Sequence, residues 1–135
     1  MALQFSTTVR NARLDAIETA VGVSAIMKIR TGAAPANCGT ADSGTVVATL
    51  NLPSDWMAAA SSAQKSMTGT WSDSSADAAG TAGHFRIYAS DGTTVHAQGT
   101  ITATGGGGDM ELDNTVFASG QAFSITSFTI NEPNG

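Results

Sequence analysis

From residue 25 onward, apolar side chains recur at every second position in short runs, and glycine, proline, asparagine or aspartate separates one run from the next. A period of two is that of a strand with one face buried, and it leaves little room for anything but sheet. Residues 45–52 are the cleanest case: Val46, Ala48, Leu50 and Leu52 point one way, and Val47, Thr49 and Asn51 the other. The pattern predicts further strands over 25–30, 64–72, around Phe85 and Ile87, and over 95–104, 110–117 and 122–130. In 64–72, Met67, Gly69 and Trp71 share a face. In the last run Phe123 and Ile125 are in phase, whereas Phe128 and Ile130 are in the opposite phase. A bulge or bend near Thr126 or Ser127 reconciles them. Asp91-Gly92 is the strongest hairpin signal, because a type I′ turn needs positive φ and glycine adopts it without steric cost. A regular hairpin there pairs position 84 near position 99. The segments 32–44 and 73–83 read as long loops, 105–108 as a flexible tip, and 56–60, after Pro53, as one helical turn.

Residues 7–21 break the pattern and read as a helix. Ser6 or Thr7 can cap the start, and Gly22 stands where a helix stops. Leu14, Ile17 and Val21 recur at helical spacing, with Arg10, Arg13, Asp15 and Glu18 mainly on the other side. The expected architecture is therefore mainly β: a single antiparallel β-sandwich, jelly-roll-like, of seven or eight short strands. Residues 1–23 form an N-terminal arm and helix packed on it, and residues 24–135 the sandwich.

Composition narrows the function. Charged residues are 13% of the chain, against about 25% in typical soluble domains. Apolar residues at 41% still supply a core. A surface this poor in charge suits contact with other protein. The six Lys and Arg are scattered and the net charge is −5, so nucleic acid is a poor partner. No apolar run is long enough to span a bilayer, and the first residues do not read as a secretory signal. A lone cysteine, Cys38, fits a product made in reducing cytosol.

No residue pattern carries chemistry. His84 and His96 lie on neighbouring strands but not opposite each other, and Cys38 is in a distant loop, so a zinc set does not converge. Asp73-Ser-Ser-Ala-Asp77 lacks the carboxylates and glycine of a calcium loop. Gly105–Gly108 leads into Asp109 and a strand, not a helix, and is no phosphate cradle. No Gly-x-Ser-x-Gly elbow occurs, and Glu111 and Asp113 are read as solubilising rather than as a glycosidase pair. No catalytic residue, metal or cofactor is expected. Trp56, Trp71 and Tyr88 could stack on a sugar, but Trp71 is in phase with Met67 and reads as core. Trp56 follows a break in the β pattern and reads as a contact residue.

Several stretches resemble small virion structural proteins of tailed bacteriophages. They are Leu-Gln-Phe-Ser-Thr-Thr-Val-Arg-Asn-Ala-Arg-Leu-Asp-Ala-Ile-Glu at 3–18, Met-Lys-Ile-Arg-Thr-Gly-Ala-Ala-Pro-Ala-Asn-Cys at 27–38, and Gly-Thr-Trp-Ser-Asp-Ser-Ser-Ala-Asp-Ala-Ala-Gly-Thr-Ala-Gly-His-Phe-Arg-Ile-Tyr at 69–88. Gly-Gly-Asp-Met-Glu-Leu-Asp-Asn-Thr and Ile-Thr-Ser-Phe-Thr-Ile complete the likeness. It is one of overall pattern, without an active-site motif. The resemblance implies a non-enzymatic capsid decoration (cement) protein, located in the virion and assembled in the host cytoplasm. Its implied partners are the major capsid protein and further copies of itself, as dimer or trimer, with neither nucleic acid nor membrane. A neck, tail or fibre-associated virion protein is the alternative, and a carbohydrate-binding module a more distant one. The expected contacts are the helix and the loops 32–44 and 73–83, with Arg10, Arg13, Leu14, Trp56 and Met57 as candidate interface residues.

Overall fold

The computed structural model describes residues 2–134 and is mainly β, with one N-terminal helix and several sheets, none closed. Helix α1 runs Thr7–Val21. The Ser6 side chain accepts the Val9 N–H at its start, and Gly22, at φ +91°, ends it. Ten strands follow: β1 Ile26–Thr31, β2 Val46–Asn51, β3 Gln64–Ser66, β4 Trp71–Asp73, β5 Gly80–Tyr88, β6 Val95–Ala103, β7 Met110–Leu112, β8 Val116–Phe117, β9 Phe123–Ile125 and β10 Thr129–Asn131.

The main sheet has the order β2-β1-β5-β6-β7, and β8 pairs with the start of β5. Strands β3 and β10 form one small ribbon, and β4 and β9 another. One face of the main sheet carries Met27, Ile29, Ala48, Leu50, Phe85 and Ile87, all buried. Trp56, Trp71, Ile125 and Phe128 complete this core. The rings form a chain: Trp56 to Trp71 at 6.1 Å, Trp71 to Phe128 at 5.6 Å, and Phe128 edge-on to Phe85 at 5.6 Å. Leu50 has no exposed surface, so Leu50→Ala is expected to destabilise by about 2–5 kcal/mol; a denaturant midpoint unchanged from wild type would contradict its place in the core.

Several sequence expectations need correction. The run 64–72 is two strands in different ribbons, because Gly69 at φ +68° turns the chain between them. The run 110–117 also divides, and β7 lies parallel to β6, so the main sheet is not purely antiparallel. Residues 56–60 are not helical; Met57 bridges Met67 in the manner of a strand. In β2 a bulge opposite Ile29 and Arg30 shifts the phase, which buries Val47 completely and leaves Val46 half-buried. The Asp91-Gly92 hairpin forms, with a wider loop than a two-residue turn. Ala89 and Thr94 close it, and Asp91 takes hydrogen bonds from the Thr93 and Thr94 N–H groups and the Thr94 hydroxyl. A side chain that satisfies three donors favours the wider loop, and with a bulge after Ile87 it sets His84 opposite Thr100. The break in the last run falls at 126–128, where the phase change requires it.

Candidate functional site

The second face of the main sheet carries the most unusual chemistry in the chain. Strands with one wet face place polar residues outward, and β1, β5 and β6 put Lys28, Arg30, His84, Arg86, Tyr88 and Gln98 there. Yet Arg86, His84 and Tyr88 have essentially no exposed surface, and Arg30 retains 8%. What covers them is the loop 32–44, folded back across the strands.

Arg86 binds the loop at three points. Its Nη1 meets Asp42 Oδ1, and its Nη2 donates to Asn37 O at 3.0 Å and Cys38 O at 3.4 Å. Nε and Nη2 also donate to Gln98 Oε1, at 3.1 and 2.9 Å. Gln98 in turn donates from Nε2 to Pro35 O at 2.7 Å. Arg30 Nη2 holds Asp42 Oδ2 at 2.8 Å, and the Tyr88 hydroxyl donates to Asp42 Oδ1 at 2.8 Å. Across the strand, Lys28 Nζ lies 4.7 Å from the Tyr88 ring centre and donates to Gly92 O. His84 Nδ1 is 2.9 Å from Gly32 O, and since a carbonyl only accepts, Nδ1 carries the proton. His84 Nε2 and Arg30 Nε are buried with no hydrogen-bond partner among the described residues.

Asp42 therefore counters two buried guanidinium groups. Burial pushes its pKa up, but hydrogen bonds from Arg86 and Tyr88 and the charges of Arg30 and Arg86 outweigh that and hold it below the usual 3.8. Burial, and then the bond to Asp42, push the Tyr88 phenol upward. The sign for stability follows from linkage. A carboxyl whose pKa is depressed by folding stabilises fully above its unfolded value, and that contribution fades as pH falls through the folded one. Melting temperatures of wild type and Asp42→Asn should therefore differ at pH 7 and converge as pH falls below about 3.8. A gap that stays constant down to pH 2 would mean that Asp42 is not the countercharge.

A third buried cation fastens the helix. Lys65 on β3 keeps 3% of its side chain exposed and reaches Asp15 Oδ1 and Ala58 O at 2.8 Å, with Glu18 Oε2 at 3.4 Å. The Lys65 hydrogen bond, and then one from the Ala60 N–H, lower the pKa of Asp15. Burial raises that of Glu18. Asn11 accepts the Ala63 N–H at 2.8 Å. At the other end Arg10 donates to Glu132 O, and Arg13 pairs with Glu132 at 2.8 Å and sits over the Phe5 ring.

The candidate interface residues fare unequally. Leu14, Trp56 and Met57 are buried in the monomer, so none can be a surface contact. Trp56 is enclosed because its Nε1–H donates to Gly22 O, which ties the end of α1 to the aromatic chain. Arg10 and Arg13 are committed to Glu132, although Arg13 remains half exposed. Trp56, Trp71 and Tyr88 offer no exposed platform for a sugar. Among the described residues no three His, Cys, Asp or Glu side chains converge as metal ligands would, and no helix is long and apolar enough to cross a membrane. Comparisons with protein families, with curated proteins and with solved structures find no match.

Sequence reasoning treated the six cations as scattered and missed this network. A signal was present: His84, Arg86 and Tyr88 alternate with Phe85 and Ile87, and Lys28 and Arg30 with Met27 and Ile29. Half of a small set of cations on two neighbouring strands points to something that covers them. Only the fold identifies the cover as the loop 32–44.

Proposed function

We propose that this chain is a structural protein of a tailed-phage virion, and within that class a capsid decoration protein. The observation that carries the reading is the clasp over the sheet. The constellation of charged side chains that would otherwise be receptive is closed by the chain's own loop, and on this reading the chain acts through its surface and shape. The resemblance of residues 3–18, 27–38 and 69–88 to such virion proteins supports the same reading. On this reading the main sheet and the small ribbons beneath it act as a distorted β-sandwich, the exposed part of α1 and the loops face neighbouring subunits, and the partners are the major capsid protein and further copies of the chain. A module that binds only the assembled shell shifts equilibrium towards that shell, and many copies sum modest contacts.

Cryo-electron microscopy of purified particles tests it, together with a stained gel. The expected result is density for the protein on the head, at an abundance near that of the major capsid protein. Density confined to the neck or tail, with a faint band, would replace the decoration role with the tail-associated one. Absence from the particle would reject both.

A further inference from the structure

The two ends of the main sheet are finished differently. At the β2 end the chain caps its own edge: Asp73 Oδ2 accepts the Thr49 N–H at 3.0 Å, and the Asp77 N–H donates to Val47 O at 2.9 Å. At the other end β7 has β6 as its only strand partner among the described residues. Beyond it lies an open groove of about 600 Å³, whose far wall is residues 123–129. Leu112 O accepts the Thr104 N–H at 3.1 Å, on the β6 side. Backbone groups of successive residues in a ladder point to alternate sides, so Glu111 turns its N–H and C=O into the groove.

The groove has a marked chemistry. Asp109, Glu111 and Asp113 share one phase of the strand, and no Lys, Arg or His lines the space. Their carboxylates accept hydrogen bonds from Thr100, Gly105, Gly107 and Thr104, all neutral donors, and none of the three is in an ion pair among the described residues. In the other phase Met110 and Leu112 are apolar, and Ile125 and Phe128 stand on the far wall. A second copy of the chain is a poor occupant. Antiparallel pairing of β7 with β7 would bring Glu111 towards Glu111, and like charges opposite one another destabilise a ladder. Among the described residues there is also no exposed basic strand to offer: Lys28 and Arg30 lie inside the main sheet, and Lys65 is buried.

We infer that the outer edge of β7 docks one extended segment of a different protein, with Lys or Arg in one phase and apolar residues in the other. The incoming backbone completes the ladder from Glu111. Its cations lie over Asp109, Glu111 and Asp113, and its apolar side chains enter the groove beside Leu112 and Ile125. This is strand addition, in which the backbone supplies affinity and alternate side chains supply specificity. It holds whether or not the protein belongs to a virion.

Nuclear magnetic resonance titration of the full ¹⁵N-labelled chain tests it with three end-blocked hexapeptides: Lys-Val repeated three times, Glu-Val repeated three times, and the Lys-Val peptide N-methylated at both its central lysine and its central valine, which keeps the charges and removes the backbone donors that a strand of either direction would use. The Lys-Val peptide is expected to give saturable shifts confined to residues 109–113 and 123–129 and to slow exchange of the Glu111 amide. The other two should not. Glu111→Gln, which keeps an acceptor for one of the Gly105 and Gly107 N–H groups, should weaken the Lys-Val peptide about two- to fivefold. Glu111→Lys should weaken the Lys-Val peptide further, while Asp109 and Asp113 continue to disfavour the Glu-Val peptide. Equal shifts with the N-methylated peptide would reduce the effect to charge alone and overturn the proposal. So would shifts elsewhere, or none at millimolar peptide.

Discussion

Arg86→Ala should lower stability by about 3–5 kcal/mol, the cost typical of breaking a buried ion pair by removing one partner. Arg86 is 1% exposed in its side chain, and the substitution removes its donors to Gln98 Oε1 and Cys38 O and takes one of several donors from Asp42 and from Asn37 O. The loop makes the cost large. Ordering a residue's backbone costs about 1–2 kcal/mol, and the residues 32–44 are mostly Ala, Gly, Ser, Thr and Asn, with little apolar area to offset it. Polar anchors must do so. Amide exchange should therefore accelerate across 35–44 in the variant while β1 and β5 keep their protection. A double-mutant cycle separates the pair from its surroundings. Arg86→Ala and Asp42→Ala together should cost less than the sum of the two by about 0.5–3 kcal/mol, the range for residues in one network. Strict additivity in urea melts would show that the two act independently. Asp42 also meets Arg30 and Tyr88, so its own variant should perturb more than Arg86 alone.

How far the sequence discloses this arrangement differs from element to element. Local signals suffice for α1, where Ser6 and Gly22 act within a turn of the residues they cap. They suffice for β1 and β6, whose alternation is set by a buried face, and for β2 and β5 only in part: a bulge against β1 buries Val47 instead of Val46, and β5 begins at Gly80, inside the expected loop 73–83, where it pairs with β8. They fail where distant segments decide. Gly69 divides one apparent strand because the pieces on either side pair with β10 and β9, from the far end of the chain. Whether β7 runs parallel or antiparallel to β6 is likewise not written in Met110–Leu112 itself. The clasp was hidden for the same reason: Asp42 in a loop is an ordinary polar residue until two arginines from the sheet converge on it. The groove beside β7 is a product of where β9 and β10 end up, and no local pattern marks it.

Trp56→Ala is expected to cost about 3–5 kcal/mol, and it bears on the point where the sequence reading and the fold part most sharply. A tryptophan after Leu52-Pro53-Ser54-Asp55, at a break in the β pattern, reads as a surface contact. In the fold it has no exposed surface, begins the ring chain through Trp71 and Phe128 to Phe85, and donates its indole N–H to Gly22 O at 2.9 Å. Removing it opens a void too large for its neighbours to fill, and it leaves the carbonyl that ends α1 without a donor. Trp56→Phe should recover most of the packing and lose mainly the hydrogen bond, a net cost of about 0.5–1.5 kcal/mol for that bond. Circular dichroism in urea is the suitable readout, since the substitution alters tryptophan fluorescence directly. The two roles give opposite results. A contact residue would leave the monomer's midpoint unchanged on truncation and weaken only assembly, whereas the core residue must shift the midpoint of the isolated chain. An unchanged midpoint for Trp56→Ala would remove the aromatic chain as a link between helix and sheet, and would leave α1, with only Leu14 and Val21 buried, held by Lys65, by Asn11 and by the Arg10 and Arg13 contacts to Glu132.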